Sequence, residues 1–77
     1  MAGNPGWWLI DPATGWALRF RWLRTGNWHH HLEVIKGKAM GQEPALLAWR
    51  RELPAREARE LWREHRRQGW QPGPPQW

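Results

Sequence analysis

Apolar and polar residues alternate on either side of Asp11-Pro12-Ala13-Thr14-Gly15, in a segment that reads GWWLIDPATGWALRFRW from Gly6 to Trp22. This alternation predicts two short strands joined by a turn. Pro12 is preset for the second position of a type I turn, and Gly15 suits the point where the chain re-enters a strand. With Pro12 to Gly15 as the loop, Asp11 pairs with Trp16, and counting outward sets Leu9 opposite Leu18, Trp8 opposite Arg19 and Trp7 opposite Phe20. One face then carries Trp7, Leu9, Trp16, Leu18, Phe20 and Trp22, which reads as the core face. The other carries Trp8, Ile10, Ala17, Arg19 and Arg21.

Further along, Leu32 to Lys36 predicts a third strand ending at Gly37. Ala45 to Leu53 fits a helix nearly as well as a strand. A strand is preferred, because Pro54 suits the first turn of a following helix and favours an extended residue before it. From Pro54 to Gln68 the pattern is helical: Ala58, Leu61, Trp62 and His65 form an apolar stripe, and Arg56, Arg59, Glu60, Arg63, Glu64 and Arg67 cover the opposite side. Gly69 ends the helix and Trp70 packs back on its last turn. Residues 1–6 read as a flexible lead-in, 7–70 as a single small domain, and 71–77 as a Pro-rich tail without regular structure. Trp77 would be costly to leave in water, so the tail is expected to cross back and plug the core. The expected fold is α+β, an antiparallel sheet of three or four strands opened by the hairpin, with one amphipathic helix on the face lined by Trp7, Leu9, Trp16, Leu18, Phe20 and Trp22.

Composition sharpens this picture. The chain has 77 residues, nine of them Trp, with one Phe, no Tyr and no Cys, so a few large rings must build the core without disulfides. Twelve Lys and Arg against seven Asp and Glu give a formal charge of +5, which favours an anionic partner or merely keeps a small protein soluble. No signal-like segment opens the chain, and no apolar run approaches the ~20 residues of a membrane span, so a cytoplasmic protein is expected.

Short motifs in a distinctive order carry a resemblance. These are Trp8-Leu9-Ile10-Asp11-Pro12 with Arg19-Phe20, then Leu61-Trp62, then Gly69-Trp70 and Pro75-Gln76-Trp77. Together they make the chain resemble a family of small picocyanobacterial proteins known as a domain of unknown function. The resemblance implies a cyanobacterial, cytoplasmic setting and carries over no activity or site.

Candidate chemistry is sparse. His29 and His31 would share one face of a strand, but two ligands need a third, from His65 or a carboxylate, to hold zinc or nickel; no metal or other cofactor is expected. There is no serine, and the helical glutamates are explained by pairing with arginine, so no enzyme is expected either. Arg56, Arg59 and Arg63 form a basic helix surface, diluted by interleaved glutamates. The sharper candidate is Trp8 with Arg19 and Arg21, a composition suited to a protein hot spot or to stacking a base beside phosphate contacts. The expected function is a small non-enzymatic accessory or regulatory protein that binds a larger, acidic protein assembly through Trp8, Arg19, Arg21, Arg56, Arg59 and Arg63. The alternative is RNA or single-stranded nucleic-acid binding. A membrane-surface role ranks lower, since Leu61 and Trp62 are the only large apolar residues the helix could insert, and a small-molecule substrate has no catalytic pocket to receive it.

Overall fold

A computed structural model describes residues 6–23 and 31–77. The predicted hairpin forms as strands β1 (Trp7–Ile10) and β2 (Trp16–Leu23), with Trp7 opposite Phe20, Trp8 opposite Arg19 and Leu9 opposite Leu18. The loop is closed by local hydrogen bonds. Asp11 N–H donates to the Trp16 carbonyl at 2.8 Å, and the Asp11 carboxylate accepts from Ala13 N–H at 3.0 Å and from the Thr14 hydroxyl at 2.7 Å. These bonds, the Thr14 hydroxyl first, hold the Asp11 carboxyl below its ordinary range.

Strand β3 (His31–Met40) is longer than the apolar run predicts, and β4 (Glu43–Pro54) resolves the ambiguous segment as strand. They meet in a tight hairpin at Gly41 and Gln42, with register shifts between Lys36 and Gly37 and between Lys38 and Met40. Helix α1 (Ala55–Arg67) follows directly, with Pro54 as its N-cap residue. Its end is a Schellman motif: Trp70 N–H donates to the His65 carbonyl and Gly69 N–H to the Arg66 carbonyl, both at 3.0 Å. Gly69 takes φ +99°, where a side chain would be strained. Trp70 then packs edge-on against His65, with ring centroids 4.7 Å apart, as the sequence predicts.

The tail corrects the sequence reading. Gln71–Gly73 forms β5, which pairs antiparallel with β1, so the sheet has five strands in the order β4-β3-β2-β1-β5. Pro72 is tolerated because β5 is an edge strand with a single neighbour, where a missing donor need not break a ladder. Helix α1 thus carries the chain from one edge of the sheet to the other. Its 13 residues span about 20 Å at ~1.5 Å each, matching the ~19 Å between the outer strands of a five-stranded sheet.

Between helix and sheet, Leu9, Leu18, Phe20, Leu32 and Val34 of the strands pack with Ala58 of α1, and Trp62 lies edge-on to Phe20 at 5.3 Å. The opposite face is closed by the last residues of the chain. Trp77 packs edge-on against Trp8 at 4.4 Å and reaches Gly37, where an added Cβ would lie 2.9 Å from its ring. Gly37 is therefore required by close approach. Trp77 is the plug the sequence suggested, but it seals the face away from the helix.

Candidate functional site

Trp8, Arg19 and Arg21 do share the sheet face opposite the helix, as strand parity requires. They do not form an open surface. Trp8 is only 4% exposed beneath Trp77. Glu33 of β3, directly across from Arg21, supplies the acid that the hairpin alone does not predict. Its carboxylate takes Arg19 at 3.0 Å, Arg21 at 3.1 Å and Arg50 at 2.5 Å, and Arg50 also reaches Glu52 at 3.0 Å. Glu33 is 6% exposed, and burial pushes its carboxyl up. The hydrogen bond from Arg50, the nearby Arg21 charge and the bond from Arg19 outweigh burial and hold it below the ordinary carboxylate range. Arg19 and Arg21 are thus committed within the fold, and the physical reason is cross-strand: β3 brings a carboxylate to the arginines of β2.

The helical arginines Arg56, Arg59 and Arg63 share one exposed stripe of α1, three and four residues apart. Arg56 and Arg63 are exposed, and Arg63 lies among Glu60, Glu64 and Arg67 on a mixed-charge surface where Arg67 pairs with Glu64 at 2.8 Å. Arg59, between Arg56 and Arg63, also borders an apolar cleft of about 350 Å³ between the first half of the helix and the open end of the first hairpin, lined also by Trp7, Phe20, Trp22, Ala55 and Trp62. Trp7 and Trp22 lie on the predicted core face but remain 47% and 40% exposed, at the mouth of this cleft. The six sequence-predicted binding residues therefore fall on two surfaces, Trp8, Arg19 and Arg21 on the sheet face away from the helix and Arg56, Arg59 and Arg63 on α1, and do not form one site.

A different cluster is assembled at the other end of the helix-bearing face. The ladder sets Trp16 opposite Lys38 and Leu18 opposite Lys36, and the next ladder sets Lys36 opposite Trp49 and Val34 opposite Arg51. The Lys36 and Lys38 ammonium groups lie 5.4 and 5.9 Å from the centroid of the Trp16 ring, and the Arg51 guanidinium lies 4.5 Å from that of Trp49. Such distances fall within cation–π range. Among the described residues none of these three cations has a carboxylate partner. The signal was present in part: Lys36 and Lys38 are two apart on a strand, as are Trp49 and Arg51. Only the β3–β4 register joins the pairs.

Of the candidate metal residues, His29 lies outside the described residues. His31 opens β3, and the His65 Nδ1–H donates to the Leu61 carbonyl at 2.9 Å. Among the described residues there is no group of three or more potential metal ligands. No described helix is long and apolar enough to cross a membrane.

Residues 6–77, spanning the first hairpin through Trp77, match the family model described as protein of unknown function (DUF1651). The chain belongs to the DUF1651 family. The match includes β5 and the residues that follow it, so the DUF1651 unit extends through the tail and Trp77. No curated protein matches this DUF1651 chain. No solved structure matches it either.

Proposed function

We propose that this protein is a small non-catalytic accessory protein of the cytoplasm that binds an acidic surface of a larger protein through Trp16, Trp49, Lys36, Lys38 and Arg51. The observation that carries the reading is the placement of three cations over two tryptophan rings with no carboxylate partner among the described residues. A cation held against a ring has already lost part of its rotamer freedom, so pairing it with a partner's carboxylate costs less ordering than pairing a free surface lysine. The same geometry favours a protein over single-stranded nucleic acid. Stacking a base needs an open ring face, and here the chain's own cations lie over Trp16 and Trp49.

The test is a native pull-down from the source cell with the full chain, with and without nuclease. The wild type is expected to keep its partner after nuclease treatment. The double variant Lys36→Glu/Lys38→Glu is expected to bind at least about tenfold more weakly, near 1.4 kcal/mol, with an unchanged far-UV spectrum. Loss of every partner on nuclease treatment would favour the nucleic-acid reading. Undiminished binding by the double variant would remove the patch from the interface.

A further inference from the structure

Resting on that reading of an acidic protein partner, we propose that the cleft beside Arg59 receives a large apolar side chain from an acidic peptide segment of the partner, with Arg59 pairing the carboxylate next to it. The cleft is lined mainly by Trp7, Phe20, Trp22 and Trp62, a surface that accepts an aromatic or branched aliphatic group. Among the described residues its one charged lining residue is Arg59, which has no carboxylate partner among them. Charge complementarity therefore specifies an acid beside the apolar group rather than a base.

A volume of about 350 Å³ suits one or two side chains. The exposure of Trp7 and Trp22 distinguishes a peptide from a free ligand. Small-molecule sites cover most of their ligand, whereas this cleft, as the described residues line it, is open along one side and suits an occupant that brings its own cover. A partner's backbone and neighbouring side chains supply that cover, and the two exposed rings, edge-to-face at 6.4 Å, form the rim it would bury.

The cleft also shares a sheet face with the cationic patch. Trp16 and Trp22 stand six residues apart on β2, about 20 Å at ~3.3 Å per residue, so one acidic surface of ordinary interface size reaches both.

The experiment uses the full chain and a capped hexapeptide with two glutamates on each side of Leu-Phe, titrated to millimolar concentration while the tryptophan indole N–H signals are followed by NMR. Shifts are expected at Trp7, Trp22 and Trp62, whether or not Trp16 and Trp49 respond. Ala55→Leu, which fills the cleft, should abolish them. Arg59→Glu should weaken binding about tenfold, and Arg59→Lys should retain most of it. Shifts confined to Trp16 and Trp49 would overturn the cleft as an anchor while leaving the acid-binding patch intact. No shift at the cleft, equal binding of a peptide with lysines in place of the glutamates, or equal binding of free 4-phenylbutyrate would each overturn the proposal. The patch is tested separately by Lys36→Glu/Lys38→Glu, so the two readings fail independently.

Discussion

Replacing Trp77 by alanine probes the layer on the sheet face away from the helix. A Trp side chain offers ~200 Å² and Trp77 is more than half covered, so burial contributes about 3 kcal/mol at ~25 cal/mol per Å². The edge-to-face contact with Trp8 adds about 1 kcal/mol. Ordering the side chain and the tail after β5 offsets about 1–2 kcal/mol of this. The expected net loss is about 2–3 kcal/mol, or a melting temperature roughly 10–20 °C lower for a domain of this size. Urea unfolding followed by far-UV circular dichroism measures it without depending on tryptophan fluorescence. Gly37 supplies an internal control. A methyl there meets the Trp77 ring at 2.9 Å, Leu47 Cδ2 at 2.8 Å and the Leu46 carbonyl at 2.9 Å, so Gly37→Ala should cost less once Trp77 is gone, with a coupling of about 0.5–1 kcal/mol. A Trp77→Ala stability within about 0.5 kcal/mol of wild type, together with an additive cycle, would refute the second layer.

Trp8→Ala should destabilise the fold by about 3–4 kcal/mol, at least as much as Trp16→Ala, because Trp8 is the more deeply buried of the two; a smaller loss by chemical denaturation would contradict its place beneath Trp77. Glu33→Gln should cost about 1–2 kcal/mol, discounted because Arg21 and Arg50 are half exposed and can turn to solvent. Since folding lowers the Glu33 pKa, its stabilisation is present above the ordinary carboxylate value and is lost as the pH falls through the lower folded value. Wild type should therefore lose its advantage over Glu33→Gln on acid titration, and parallel pH profiles would contradict the ion cluster. Trp62→Ala should remove about 2–4 kcal/mol through the Phe20 contact, and an unchanged melting midpoint would show that the helix docks by other residues.

The sequence by itself determined what local physics controls. Period-two alternation and the Asp-Pro-x-Thr-Gly loop fix the first hairpin and its register, since a slip by one residue would turn Leu9, Leu18 and Phe20 out to solvent. The helical stripe and Gly69 likewise set α1 to within a residue at each end, and the choice of strand before Pro54 follows from proline sterics. Tertiary structure decided everything that depends on which strands become neighbours. Parity assigns Trp8 and Arg19 to one face but does not state that Trp77 returns to cover the first or that Glu33 arrives to pair the second. A Pro-rich tail has no strand signal of its own, and it becomes β5 because β1 offers an unpaired edge just where the helix ends. Lys36, Lys38, Trp49 and Arg51 are strand residues in the sequence and become a cluster with Trp16 through two long-range ladders, whose register is set by turns and bulges that no local pattern encodes.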